Sequence, residues 1–382
     1  MSTALVEISE KHKIDIAALQ TRRIHLAVFG HGTVGKAFLD QLFERQKQLL
    51  ANKNIQLVVF VVSNSTKALF QKKGVNTNWQ RDKDIQGKPY SVEDIISFAH
   101  QHKLENLIAI DNTADAAFTK NYELLVKNGF HLVSSNKHKN TDTWRQYLQL
   151  RAVLKEHNKT YLYETNVGAG LPLVDTINLL HQSGENITRI RGVFSGSLSY
   201  IFNEYSEKES SFSDILKKAI SKGFTEPDPR EDLGGKDVAR KLLILARELE
   251  LKTELEDVSV QNLIPKNLRN VDKETFFKEI NQLDSPYLIK KKNLKKETVL
   301  RYVGDLYGDL SKEDGGVLTV SLQETPKNSM LGQLKGNDSL FEIYTESYGT
   351  NPIVIQGAGA GANVTARGVF GDVLRICNKL NN

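Results

Sequence analysis

Three glycines, at positions 30, 32 and 35, stand between two unlike periodicities and leave few folds open to this chain. Ile24–Phe29 is a short, mostly apolar run, Gly30-His31-Gly32-Thr33-Val34-Gly35 follows at once, and Lys36–Leu42 carries apolar residues at helical spacing. Strand, tight glycine turn and helix, in that order, is the setting in which G-x-G-x-x-G acts as a dinucleotide-binding fingerprint. The first glycine makes the turn, the second lets the backbone approach a pyrophosphate, and the third packs helix on strand. The exposed amides of Gly32, Thr33, Val34 and Gly35, where the helix opens, would hold the anion, because a helix N-terminus leaves its first N–H groups unpaired. The expectation is an α/β protein with a Rossmann-type domain.

Strand and helix signals alternate up to about residue 165. Leu57–Val62 is apolar throughout, as a strand buried on both faces of a parallel sheet should be. Ser91–Gln101 reads as helix, Leu107–Ile110 as strand, Asp115–Asn128 as helix and His131–Ser134 as strand. Gln71–Gly87 is polar and turn-rich and reads as an irregular excursion. Ligands of open α/β sheets sit beyond the carboxyl ends of the strands, so Thr113, Ser135 and Lys137 fall where a nicotinamide ring would lie. After Val62 the chain reads Ser63-Asn64-Ser65-Thr66-Lys67, without the acid that would select NAD through the ribose 2′-hydroxyl. NADP is therefore expected to be preferred or accepted, with NAD open, and Ser63 and Lys67 are the candidate contacts to a 2′-phosphate.

Composition narrows the class. At 382 residues the chain exceeds the size of one growing core. Lys and Arg number 51 against 46 Asp and Glu, and no basic block interleaved with aromatics suggests a nucleic-acid face. Cys377 is the only cysteine, so no intrachain disulfide can form. The first twenty residues lack an apolar signal core and no later stretch has the length of a membrane span. The expectation is a cytoplasmic enzyme with neither nucleic-acid nor membrane partners. Zinc spacings such as H-E-x-x-H and C-x-x-C are missing from the sequence.

Gly223–Lys241 joins a proline-stiffened acidic loop to a helix that opens after Gly234-Gly235. Asp237 and Lys241, four residues apart, share a face of that helix. Taken alone, this is a capped surface helix with one ion pair. Glu164-Thr-Asn-Val167-Gly-Ala169-Gly-Leu171-Pro172 reads as a tight bend. Ser195-Gly196-Ser197 ends the strand Ile187–Phe194 but lacks the G-x-S-x-G of a nucleophile elbow, which argues against hydrolysis. Gly357–Gly361 is a second glycine turn, opening the helix Asn363–Asn378, and it reads as both a cofactor contact through Gly361 and a packing turn.

The run Ala219–Lys241 closely resembles the signature of homoserine dehydrogenases, and the similarity extends to Asn136-Lys137, Glu164–Pro172, Phe194–Phe202 and Gly357–Gly361. It looks most like the dehydrogenase half of the bifunctional aspartokinase–homoserine dehydrogenases, without a kinase portion. No room is expected after Asn382 for the C-terminal regulatory domain of many relatives, so threonine control through such a domain is not expected.

The resemblance implies reduction of aspartate 4-semialdehyde to L-homoserine by NAD(P)H, in the branch of amino-acid biosynthesis leading to threonine and methionine. It implies Lys241 and Lys137 as catalytic ammoniums, with Lys241 as the proton donor, its pKa lowered by burial and by the other lysine. Asp237 would orient Lys241 and touch the reacting hydroxyl. Glu226 would pair with the substrate ammonium, Asp232 would support it or the carboxylate network, and Gly196 and Ser197 would line the amino-acid pocket. The carbonyls of Glu164, Val167, Ala169 and Leu171 would bind a monovalent cation, sodium, in place of a plain bend. Many relatives carry tyrosine where Phe224 stands. The expected layout is an extension over 1–20, a Rossmann domain over 21–165, a mixed α+β catalytic and dimerisation domain over 166–345, and a segment over 346–382 returning to the first domain. A homodimer is expected by analogy. Two alternatives stand beside this reading: another NAD(P)-dependent oxidoreductase of amino-acid metabolism, and a non-catalytic dinucleotide sensor.

Overall fold

The computed structural model describes residues 21–380, so the expected extension over 1–20 lies outside the described residues. Its first sheet has the order β3-β2-β1-β4-β5-β6. These strands are β1 (Arg22–Phe29), β2 (Ile55–Ser63), β3 (Ala68–Phe70), β4 (Leu107–Asp111), β5 (His131–Ser134) and β6 (Tyr161–Leu162). All neighbours are parallel except β2 and β3. The valine-rich β2 is buried along Leu57–Ser63, because helices cover both faces of a parallel sheet. Register brings the strand ends level: Phe29 lies opposite both Ser63 and Asp111, and Asp111 lies opposite Ser134. The loops that follow β1, β2, β4 and β5 therefore open along one edge of the sheet, the edge at which such sheets bind ligands.

Gln71–Gly87 corrects the sequence reading. Its second half is a helix, Trp79–Gln86. The octapeptide is strongly polar, but Trp79 is 2% exposed and sits in the core of the first sheet. Burial of that one indole, which has no periodic partner in sequence, orders the turn. The helix expected over Asp115–Asn128 is shorter than read. A turn in which Asp115 Oδ1 accepts from Ala117 N (2.8 Å) precedes a 3-10 stretch, Phe118–Asn121, and the α-helix proper spans Tyr122–Lys127.

The second sheet has the order β12-β11-β7-β9-β10-β8. Its strands are β7 (Ile187–Val193), β8 (Ser259–Val260), β9 (Thr298–Gly308), β10 (Gly316–Pro326), β11 (Ser339–Thr345) and β12 (Ile353–Gly357). β9 and β10 form an eleven-residue antiparallel pair. The helices Gly196–Glu207 and Lys236–Glu248 pack on this sheet, burying Tyr200, Ile201, Leu242 and Leu245 against Leu300, Tyr302 and Leu306.

The C-terminal segment divides at Gly357. β12 stays with the second sheet, antiparallel to β11. Only the helix Ala362–Lys379 returns to the first sheet, where Ala366, Val369, Phe370 and Val373 join Phe38, Leu39 and Leu42 of the helix Thr33–Lys53. Phe370 and Phe38 meet edge to face at 6.0 Å, and full burial of such a ring stabilises by about 1.5–3 kcal/mol. Among the described residues no helix is long and apolar enough to cross a membrane.

Candidate active site

The three glycines of the first turn do three different things. Gly30 has φ +81°, and a Cβ there would come within 2.9 Å of the Asn112 carbonyl, so its bareness lets the end of β4 close on the turn. A Cβ at Gly35 would overlap the Gly30 carbonyl oxygen, whereas one at Gly32 would meet nothing. The helix that starts at Thr33 has neither a side-chain cap nor an acid in its first turn, so its amides and positive end stay open to an anion. His31 Nε2 and Asn112 Nδ2, beside this turn, are buried without hydrogen-bond partners. Those features fit a bound pyrophosphate and ribose. The His31 ring lies edge-on to Trp79 at 5.3 Å, and burial together with the Lys83 charge holds its pKa below the ordinary value.

At the neighbouring strand ends, Thr113 and Ser135 are arranged around Asp111. Thr113 N donates to Asp111 Oδ1 (2.8 Å), Asn136 Nδ2 to Asp111 Oδ2 (3.0 Å), and Ser135 Oγ to Asn112 Oδ1 (3.2 Å). Burial pushes the Asp111 carboxyl up, against the pull of the Tyr122 hydroxyl 2.6 Å away. The two residues chosen for a 2′-phosphate part company. The Ser63 hydroxyl is buried and donates to Val28 O (3.4 Å), so it does not face the groove as expected. Lys67 is exposed, in a turn fixed by Asn64 Oδ1, which accepts from Thr66 N (3.1 Å) and Lys67 N (2.8 Å).

Three distant segments meet beside this edge. Lys137 follows β5, as the residue before the 3-10 turn His138–Thr141. Asp237 and Lys241 lie in the first turns of the helix Lys236–Glu248. Asp237 divides its oxygens between the two cations, with Oδ1 3.4 Å from Lys137 Nζ and Oδ2 2.8 Å from Lys241 Nζ. The ammoniums converge, and the carboxylate lies between them. Lys241 Nζ also donates to Phe194 O at the end of β7 (2.8 Å), and its side chain is only 11% exposed. Desolvation would raise the Asp237 carboxyl, but the Lys241 and Lys137 charges outweigh it and hold the group well below the usual carboxylate range. An ammonium has three donors, so Lys241 keeps one N–H free.

The acidic loop closes the other side. Asp232 accepts from Ser197 Oγ (2.6 Å) and from Glu226 N (2.9 Å), and thereby ties the loop to the start of the helix Gly196–Glu207. Burial raises the Asp232 carboxyl, and the Ser197 bond opposes that. Glu226 forms no ion pair among the described residues; desolvation and the neighbouring Asp232, Glu231 and Asp237 raise its carboxyl. A carboxylate so placed favours an incoming cation. Ser195, set aside as a nucleophile, caps the helix: its Oγ accepts from Leu198 N (3.3 Å) and pairs with Ser197 Oγ (2.8 Å). A Cβ at Gly196 would lie 2.9 Å from Asn337 O and 3.7 Å from Ala360 Cβ, which brings the Gly357–Gly361 turn against this pocket. Gly361, with φ +118°, precedes the C-terminal helix. Phe224 lays its ring against Tyr200 at 4.8 Å.

In Glu164–Pro172, Gly168 and Ala169 both take left-handed backbone, with φ 79° and 54°. Two of the chosen carbonyls already accept inside the loop, Leu171 O from Leu173 N (2.9 Å) and Glu164 O from Val167 N (3.4 Å). Each carbonyl has a second lone pair, so neither bond bars a cation. The C-terminal helix crosses the loop closely: a Cβ at Gly170 would overlap Val364 O, and one at Gly368 would lie 3.2 Å from Ala169 O. The glycines therefore also serve packing. Asp111 and the main-chain carbonyl of Phe194 are site-forming groups that the sequence reading did not single out.

The family pattern described as "Homoserine dehydrogenase" matches residues 172–374, and that described as "Homoserine dehydrogenase, NAD binding domain" matches residues 30–164. A bifunctional aspartokinase/homoserine dehydrogenase of Zea mays is 37% identical over 95% of this chain, which spans 39% of that relative's length. The chain thus covers about two fifths of the bifunctional relatives it matches. The homoserine dehydrogenase of Saccharomyces cerevisiae is 35% identical, over 95% of this chain and 100% of its own. Among solved structures, a Candida auris protein of unknown function superposes with TM-score 0.83 at 30% identity, covering 94% of this chain and 99% of its own. A hyperthermophilic archaeal homoserine dehydrogenase in complex with NADPH shares the fold, with TM-score 0.69 at 21% identity, over 94% of this chain and 99% of its own.

Proposed function

The chain belongs to the homoserine dehydrogenase family, and from that premise we propose that it interconverts L-aspartate 4-semialdehyde and L-homoserine, in the pathway branch that feeds threonine and methionine. The observation that carries this is the convergence of Lys137, Asp237 and Lys241 beyond the carboxyl end of β5. A bound nicotinamide would supply or accept the hydride at substrate C4. As the carbonyl carbon is reduced, its oxygen gains negative charge, and a preorganised ammonium aimed there contributes about 3–4 kcal/mol. Lys241 takes that role: its unused N–H proton passes to the oxygen, and the resulting amine regains a proton from solvent. In oxidation the neutral amine accepts the hydroxyl proton. Asp237 fixes the Lys241 side chain, Lys137 adds a second positive charge, and Glu226 binds the substrate ammonium. Asp232 accepts from both Ser197 Oγ and Glu226 N, and so holds the loop of Glu226 against the pocket that Ser197 lines.

NADP is the cofactor favoured by the acid-free turn after β2, with Lys67 as the residue near a 2′-phosphate and the Ser63 backbone bracing the turn through the bond from Gly30 N (2.9 Å). The carbonyls of Glu164, Val167, Ala169 and Leu171 would hold sodium, which supports the loop between the two sheets. The enzyme would act in the cytoplasm as a homodimer. Tyr307 and Val317, cross-strand partners in the second sheet, are 40% and 43% exposed and offer apolar surface for a second copy to cover.

Homoserine-dependent NADP reduction, set against other hydroxy amino acids, tests the reading directly. Lys241→Ala should abolish turnover while NADP affinity stays near wild type, and undiminished turnover in that variant would refute the assignment.

A further inference from the structure

We propose that Arg247 is a positioning residue for Lys137, holding the loop that carries Lys137 against the helix that carries Asp237 and Lys241. The residue rests on no motif, and its guanidinium is almost wholly buried, with the side chain 1% exposed. Arg247 Nη1 donates to the carbonyls of Asn140 (2.9 Å) and Asp142 (2.7 Å), three and five residues beyond Lys137. Its Nη2 donates to Thr253 O (3.0 Å) and Glu254 Oε2 (3.2 Å) in the turn that follows the helix. Glu254 in turn accepts from Trp144 N through both oxygens (2.9 and 3.0 Å), so the loop after Lys137 is pinned at residues 140, 142 and 144.

Asn140 completes the fixture. Its Oδ1 accepts from Arg151 Nη2 (2.9 Å), and its Nδ2 donates to Asn166 Oδ1 (3.0 Å) and the Tyr161 hydroxyl (3.2 Å). Asn166 returns a bond to Ser134 O (2.9 Å) at the end of β5. The loop is therefore held at its backbone by Arg247 and at its side chain by the first sheet.

The need for such a device follows from the layout. Lys137 comes from the first sheet and Lys241 from helices on the second, so no local sequence geometry sets the distance between them. Burying a guanidinium costs more than filling the space with an apolar side chain. A planar cation bridging two carbonyls of one loop to one carboxylate and one carbonyl of another supplies orientation that an apolar residue cannot. Reacting groups displaced by about 1 Å lose on the order of 100-fold in rate.

This inference rests on the reaction proposed above only for its effect on turnover, so the test carries a readout that needs no turnover. Purified full-length Arg247→Lys and Glu254→Gln are treated with an acetylating reagent, and acetylation of Lys137 and Lys241 is followed by peptide mass spectrometry. Steady-state kinetics and the primary isotope effect with 4-deuterated NADPH are measured on the same samples. In Arg247→Lys, Lys137 should acetylate at least about threefold faster while Lys241 is unchanged, and kcat should fall on the order of 10-fold to 100-fold with a larger isotope effect and an unchanged cofactor KM. Glu254→Gln, at a side chain 40% exposed and retaining the guanidinium, should shift both readouts the same way by less, and it decides the matter if Arg247→Lys does not fold. Wild-type acetylation of Lys137 in the folded variants overturns the proposal, whatever happens to kcat. A wild-type enzyme that ignores homoserine sinks the proposed reaction instead, and the acetylation rates still decide the role of Arg247.

Discussion

Gly235 passes so close to Tyr302 that a Cβ on the glycine would overlap the phenolic oxygen, which itself donates to Gln261 O (2.7 Å). Gly235 has φ +74° and is the last residue before the helix of Asp237 and Lys241, so the reactive pair starts from a backbone position only glycine fills well. Gly235→Ala should lose about 1–2 kcal/mol from the left-handed backbone alone, with more from the overlap, and should lower kcat by displacing both side chains. Urea unfolding and initial rates measure it. Adding Tyr302→Phe should recover part of the lost stability, and no recovery would mean that the overlap is relieved elsewhere.

Glu226→Gln should raise the KM for homoserine about 10-fold to 100-fold, since a hydrogen bond to a charged group contributes about 1.5–3 kcal/mol. Binding of NADPH, followed by its fluorescence, should not change. An unaltered homoserine KM would remove Glu226 from the substrate site.

Lys67→Ala should weaken NADPH while leaving NADH alone. The lysine is exposed, so the loss should stay within about 1 kcal/mol, or roughly fivefold in Kd. Equal losses for both cofactors would show that Lys67 acts on the turn and not on a 2′-phosphate.

His131 gives a dependence on acid. Burial, then the charges of Lys159 and Lys379, lower its pKa to about 4, while its Nδ1 accepts from Thr160 N (3.0 Å). The folded pKa lies below the unfolded value of 6.5, so on acidification the unfolded chain takes up the proton first. The stability held by the neutral ring is complete above pH 6.5 and is lost as pH falls towards 4, up to about 3 kcal/mol. His131→Asn, which keeps the acceptor, should be less sensitive than wild type to a fall from pH 7 to about 5 in urea unfolding. Parallel curves for the two proteins would contradict this.

Much of the fold was legible because its signals are local. Gly30–Gly35 needs only its own backbone geometry to be recognised, and β5, β7 and the helix Val92–Gln101 fall where their local patterns were read. Lys241 and Asp237 share a helix face by spacing alone. The helix Trp79–Gln86 was not legible, since a buried indole outweighs seven neighbours that read as loop, and Ser63 was misjudged because its position at a strand end does not say which way its hydroxyl turns.

By itself, then, the sequence determined the dinucleotide turn, the reactive helix and the strands β1, β2, β4 and β5, because each depends on residues within a few positions of one another. Only the tertiary structure decided that Lys137 reaches Asp237 across 100 residues, that Phe194 O anchors Lys241, and that β12 pairs in the second sheet rather than returning with the C-terminal helix to the first. Those choices follow from burial and from matching donors to acceptors between segments far apart in the chain, and neither leaves a period or a spacing to read.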